Sequence, residues 1–134
     1  MRGMMWVIAG TPWRMGATVT RSEEFGVIRR NVGETVVLQV RGALDQMTAP
    51  SLATHFDLAL TNLPAVLVVD LTDVDFLSSA GITLLVEANR LTAKIPTALR
   101  VAADGPATAR PLNIVGVDQV IDLYPTLTDA MRGR

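Results

Sequence analysis

The chain has 134 residues, of which 49% are hydrophobic, and this length and composition predict one domain with a buried core. It contains no cysteine and one histidine, His55, which excludes disulfides, thiol catalysis and clusters of histidine metal ligands. The formal net charge of −1 gives no electrostatic basis for binding nucleic acid or an anionic membrane, so neither partner is expected. The absence of cysteine also fits a cytoplasmic location.

The first part of the chain lacks a regular hydrophobic period. We expect a poorly ordered extension at residues 1–20, followed by a single domain at 21–134. The apolar run at 4–10 is too short for a membrane span and short even for a signal-peptide core.

A β-hairpin is predicted next, with strands at 25–30 and 35–41. Asn31 and Gly33, between them, supply the positive φ angles that hairpin turns need. The first helix is then predicted to begin at Thr48, which can cap it, and to end near 62–64. Its apolar stripe consists of Leu52, Phe56, Ala59 and Leu60.

The apolar run 65–71 predicts a strand that is covered on both faces. The second helix is predicted at 79–94, with a buried stripe at a spacing of three and four residues. This stripe consists of Gly81, Leu84, Ala88, Leu91 and Ile95. Ile82 and Val86 lie between the stripe and the polar face.

Shorter elements complete the chain: a strand at 99–102, a helix at 107–115 ended by Gly116, a strand at 120–123 and a helix at 125–131. The order β-β-α-β-α-β-α-β-α predicts an α/β fold. We expect a mixed four- to five-stranded sheet with about four helices packed mostly on one face.

Polar side chains concentrate where the third strand meets the second helix. Asp70, Asp73 and Asp75 precede Ser78 and Ser79, but the spacing lacks the glycine and terminal glutamate of a calcium loop. We therefore expect neither a metal nor a cofactor. One serine is sufficient to cap the helix, which leaves the other hydroxyl where unpaired N–H groups and the helix dipole favour a phosphate.

The enzymatic alternative makes Ser79 a nucleophile and His55 its base. However, the SSAG segment lacks the flanking glycines of a nucleophile elbow, and a lone helical histidine is more often a surface or packing residue. The sequence also contains no P-loop and no dinucleotide-binding glycine pattern. We expect no catalytic residues.

Two segments, VVLQVRGALDQMTAPSL at 36–52 and VVDLTDVDFLSSAGITLL at 68–85, resemble the STAS domain of bacterial anti-sigma factor antagonists. The D-L-x-x-V-x-F-x-x-S-x-G pattern is the most specific part, and the resemblance extends over 36–131. It implies a single STAS-type domain that regulates transcription by binding an anti-sigma factor with a serine-kinase fold. In that family the unphosphorylated antagonist binds and thereby frees the sigma factor, whereas the phosphorylated form cannot bind.

The resemblance places the phosphorylated serine at Ser79. The family usually has aspartate immediately before it, where this chain has Ser78, so Ser78 stays an alternative acceptor. Asp45 matches a loop aspartate that helps to shape the docking surface. We predict that this surface consists of Asp45, Ser78, Ser79, Gly81, Ile82 and Val86.

Within that surface we expect Ile82 and Val86 to form the apolar centre, with Ser79 at its edge. A covering of these two side chains by the third helix or the N-terminal extension is the alternative. A weak homodimer is left open. So is a role as a STAS subunit of another regulatory or lipid-transport assembly that lacks a phosphorylation switch.

Overall fold

The computed structural model describes residues 25–133, so the expected extension at 1–20 lies outside the described residues. The elements in chain order are β1 (Gly26–Val32), β2 (Thr35–Leu44), α1 (Ala49–Leu60), β3 (Val66–Leu77), α2 (Ser79–Thr92), β4 (Ala98–Ala102), α3 (Ala109–Ile114), a 3-10 turn (Val117–Gln119), β5 (Asp122–Tyr124) and α4 (Leu127–Arg132). The predicted α/β class and mixed sheet are confirmed.

The five strands lie side by side in chain order. β1 pairs with β2 in antiparallel fashion, and all later neighbours are parallel. The hairpin turn is shorter than predicted, because Val32 already pairs with Thr35 and only Gly33 and Glu34 connect the strands. Gly33 has a φ of +60°, the left-handed conformation that such a tight turn requires.

The helices occupy the two faces of the sheet unequally. Three helices, α1, α2 and α3, pack on one face against side chains such as Leu38, Val69 and Leu71. α4 covers the opposite face, where Ala130 packs with Val37, Val68 and Ala102. Successive residues of β2 and β3 therefore point to opposite faces of the sheet, as a strand's two-residue period requires. The predicted concentration of helices on one face is confirmed.

The buried stripe of α2 differs from the predicted one, since it consists of Gly81, Leu85, Ala88 and Thr92. Leu85 is fully buried, whereas Leu91, predicted to be buried, is 49% exposed. Both stripes share Gly81 and Ala88, so the spacing of three and four residues does not distinguish them. Thr92 can lie in the core because its hydroxyl donates a hydrogen bond to the Asn89 carbonyl at 3.1 Å.

β3 continues to Leu77, six residues beyond the predicted end of this strand, and therefore includes Asp73 and Asp75. Its register with β2 shifts between Gln39 and Arg41, which marks a β-bulge. At the bulge, Asp70 Oδ1 accepts hydrogen bonds from the Thr72 N–H at 3.0 Å and from the Thr72 hydroxyl at 2.7 Å. The buried carboxylate thus satisfies local donors and lets the strand reach the edge where α2 begins.

The later elements are displaced by one or two residues from the predicted bounds. Gly116 has a φ of +83° directly after α3, so its predicted role in ending that helix is confirmed. The Thr126 hydroxyl caps α4 by accepting a hydrogen bond from the Asp129 N–H at 3.0 Å. None of the helices between residues 25 and 133 is long and apolar enough to cross a membrane.

Candidate functional site at the carboxyl edge of the sheet

Ser78 is the N-cap residue of α2. Its backbone is extended and its hydroxyl accepts a hydrogen bond from the Gly81 N–H at 3.4 Å. Its own N–H donates to the Leu44 carbonyl of the neighbouring strand at 3.0 Å. The residue is half-buried. Ser78 therefore has a structural function at the junction between the sheet and α2.

Ser79 is the first residue of α2, and its side chain is exposed. The first turn of an α-helix has N–H groups without intrahelical partners, and the positive end of the helix dipole lies there. A hydroxyl at this position can accept a phosphate without loss of a buried contact. Of the two candidate acceptors, Ser79 is thus the more accessible.

Gly81 does not contribute to the exposed surface, although it was predicted as a member of the docking surface. It is buried, and a Cβ atom at this position would lie 2.7 Å from Leu77 Cδ1 and 2.9 Å from Leu44 Cγ. Both distances are shorter than real Cβ contacts. The absence of a side chain therefore allows α2, whose first residue is Ser79, to lie directly on the sheet.

Gly81→Ala is expected to lower the free energy of unfolding by up to about 2 kcal/mol. Overpacking of a core costs roughly 1–3 kcal/mol, and the higher helix propensity of alanine returns about 1 kcal/mol. Chemical denaturation of the variant measures the change, with Thr83→Ala on the exposed face of α2 as the matched control. A Gly81→Ala variant more stable than wild type would show that α2 lies farther from the sheet.

Asp45 organises the loop between β2 and α1. Its Oδ1 atom accepts hydrogen bonds from the Met47 N–H at 2.9 Å and the Thr48 N–H at 3.1 Å. Thr48 lies at the N-cap position as predicted, but its hydroxyl does not cap α1. That hydroxyl accepts from the Asp45 N–H at 2.9 Å and donates to the Ala43 carbonyl at 2.8 Å. The side chains of Asp45 and Thr48 therefore stabilise the loop.

Ile82 and Val86 differ in how much of their surface is available. Ile82 is half-buried and packs against the core, whereas Val86 is 38% exposed. Ser79 and Val86 are seven residues apart and so lie on nearly the same face of α2. The accessible part of the predicted surface is therefore formed by Ser79 and Val86, with Ile82 at its margin.

Two exposed apolar residues at this edge were missing from the predicted surface. Met47, in the β2–α1 loop, is 85% exposed, and Phe76, near the end of β3, is 54% exposed. Phe76 adjoins Leu77, which is buried in the three-helix core, so the two side chains lie on opposite faces of the sheet. An apolar residue within an otherwise polar loop was the available sequence signal for Met47.

The remaining candidates for chemistry do not come together. Asp73 and Asp75 are exposed, whereas Asp70 is buried at the bulge. Within the described part of the chain, no three histidine or acidic side chains are grouped to hold a metal ion. The His55 Nδ1–H donates to the Ser51 carbonyl at 2.8 Å, so this ring is bonded to its own helix.

Known proteins are similar to this chain in both sequence and fold. The STAS domain family model matches residues 26–130. The chain is 33% identical over 118 residues to the anti-sigma-F factor antagonist RsfB of Mycobacterium tuberculosis, across 87% of this chain and 88% of that protein. Such identity over nearly the whole of both proteins indicates a shared domain and not a local motif.

Solved structures show the same fold. An anti-sigma factor antagonist from Mycobacterium paratuberculosis aligns with a TM-score of 0.77 and 33% identity, covering 83% of this chain and 94% of that one. SpoIIAA in its unphosphorylated form aligns with a TM-score of 0.64 and 18% identity, covering 81% and 98%. The second likeness concerns the fold alone.

Proposed function

This chain belongs to the STAS domain family, and we propose that it is an anti-sigma factor antagonist controlled by phosphorylation of Ser79. The unmodified protein binds an anti-sigma factor with a serine-kinase fold, and the sigma factor is released. The observation that carries this proposal is the exposed position of Ser79 at the first residue of α2. The role is one of regulated binding, without catalysis by this chain.

The position of Ser79 suits a switch that changes the surface and preserves the fold. A phosphate adds roughly 1.5–2 negative charges at neutral pH. At the start of α2 these charges meet the favourable end of the helix dipole, so the helix tolerates them. The phosphate also lies near Asp75 at the end of β3, so this edge of the sheet becomes strongly anionic. A partner that places negative charge opposite Ser79 is therefore repelled.

The cap formed by Ser78 favours Ser79 as the acceptor. In related antagonists the residue before the acceptor is usually aspartate, and a carboxylate there accepts an N–H bond from the first helical turn. The Ser78 hydroxyl accepts the corresponding bond from the Gly81 N–H. Serine therefore replaces aspartate as the N-cap of α2. The Ser78 hydroxyl is used in this cap, which leaves Ser79 as the acceptor.

Phosphorylation by the partner tests the proposal directly. The purified chain is incubated with an anti-sigma factor of serine-kinase fold and ATP, and peptides that contain residues 74–90 are mapped by mass spectrometry. We expect one phosphate, on Ser79; it persists in Ser78→Ala and is lost in Ser79→Ala. Phosphate on Ser78 would contradict the acceptor assignment. Stable co-purification with an ATPase subunit, without phosphorylation, would instead indicate a subunit of another assembly.

A further inference from the structure

Met47 is more exposed than any other large hydrophobic side chain in residues 25–133, with 85% of its surface accessible. Single apolar residues are common on protein surfaces and need no functional explanation by themselves. Met47 differs because it lies in a short loop at the same sheet edge as Ser79. Its long, unbranched and polarisable side chain is well suited to fill an irregular apolar pocket.

The loop that carries Met47 is held in one conformation by hydrogen bonds. The Met47 N–H donates to Asp45 Oδ1 at 2.9 Å, and the Ala49 N–H donates to the Asp45 carbonyl at 2.8 Å. The Thr48 hydroxyl donates to the Ala43 carbonyl at 2.8 Å. A loop that is already ordered loses little conformational entropy on binding, so it presents Met47 at low cost.

The same loop is connected to the start of α2. Leu44 and Leu77 are register partners in β2 and β3, and the Ser78 N–H donates to the Leu44 carbonyl at 3.0 Å. Neighbouring strands lie about 4.8 Å apart, and the three residues from Leu44 to Met47 span at most about 10 Å. Met47 and Ser79 therefore fit beneath a single partner that covers about 800 Å².

The charge of this edge indicates the chemistry of the partner. Carboxylates lie at the ends of β2, β3 and β4, and they outnumber the basic residues there: Asp45, Asp73, Asp75 and Asp104 against Arg41 and Arg110. A complementary surface therefore carries lysine or arginine side chains around an apolar pocket.

We propose that Met47 is an apolar anchor of the docking surface and that it inserts into a pocket of the anti-sigma factor bordered by basic side chains. This inference rests on the proposed function and adds Met47 to the part of its surface that the β2–α1 loop forms. Met47 contributes to the binding affinity, and phosphorylation of Ser79 determines whether the complex forms. A phosphate on Ser79 leaves the hydrogen bonds that order the Met47 loop intact, so the two contributions are separable.

The test uses the purified full-length chain and the anti-sigma factor of serine-kinase fold that phosphorylates it, with affinity measured by calorimetry. Met47→Ala is expected to weaken binding about tenfold and Met47→Asp about 100-fold or more, as for an interface anchor. Met47→Leu keeps affinity within about threefold, because volume and apolarity are nearly conserved. Leu58→Ala is the matched control, since Leu58 is 58% exposed but lies near the far end of α1.

Two further measurements distinguish a failure of the Met47 anchor from a failure of the proposed function. Higher salt is expected to weaken wild-type and Met47→Ala binding in parallel, because the charged rim is unchanged. If Met47→Ala and Met47→Asp bind as tightly as wild type while Ser79→Asp does not bind, the anchor is refuted and the proposed function stands. If the anti-sigma factor phosphorylates wild type but never forms a complex with it, both proposals are refuted.

Discussion

Replacing Ser79 with aspartate is expected to weaken binding to the anti-sigma factor about 100-fold, because like charges brought together at an interface cost several kcal/mol. In the proposed mechanism the Ser79 hydroxyl approaches the γ-phosphate of ATP on the kinase-type partner, so a carboxylate at this position would face the nucleotide's negative charge. The fold should be unaffected, since an acidic residue at the start of α2 is favourable for the helix by roughly 0.3–1 kcal/mol.

Thr128→Asp is the matched control for this experiment. Thr128 is exposed in the first turn of α4, on the opposite face of the sheet, so the variant adds the same charge in the same helical context. We expect its affinity to equal that of wild type, and both variants to unfold at or slightly above the wild-type temperature. Ser79→Ala should bind normally and resist phosphorylation. Unchanged binding by Ser79→Asp would exclude a charge-operated switch at this position.

Leu85→Ala is expected to lower the free energy of unfolding by about 2–5 kcal/mol, the range for a fully buried leucine whose removal leaves a cavity. Leu91→Ala, in the same helix, should cost less than about 1 kcal/mol because Leu91 is 49% exposed. Urea denaturation measures the free energy of unfolding of both variants, which lack the same side-chain atoms.

This pair also tests the geometry of the candidate site. A rotation of α2 that buried Leu91 in place of Leu85 would turn Ser79 and Val86 away from their present direction. If Leu91→Ala proves the more destabilising variant, the exposed surface inferred for α2 is wrong. The stability experiment thus checks the orientation on which the docking surface depends.

Local sequence patterns were sufficient to predict the junction between β3 and α2, where the candidate acceptor lies. The apolar run of β3, two serines and a small residue pair predicted a strand followed by a helix with an accessible hydroxyl. That inference succeeded because capping and the helix dipole act within one turn of chain. The order of strands and helices along the chain was equally predictable, since the hydrophobic periods and turn residues that mark each element are also local.

Contacts between different secondary-structure elements were not predictable in this way. Thr48 has the residue type and the position of a helix cap, yet its hydroxyl bonds to Ala43 because the end of β2 brings that carbonyl within reach. Gly81 was predicted both in the buried stripe of α2 and in the docking surface, and Leu44 and Leu77 occupy the space where its side chain would lie, so it is buried. In both cases the contact that decided the residue's role came from the end of a strand packed beside the helix.

The amino-acid sequence by itself therefore determined the alternation of elements and the family resemblance, because these depend on neighbours in the chain, and the resemblance placed the candidate acceptor at Ser79. Only the tertiary structure decided that Leu85 faces the core and that Met47 projects from an ordered loop beside α2. Helical spacing allows more than one buried stripe, and the close packing of α2 on the sheet selects one of them.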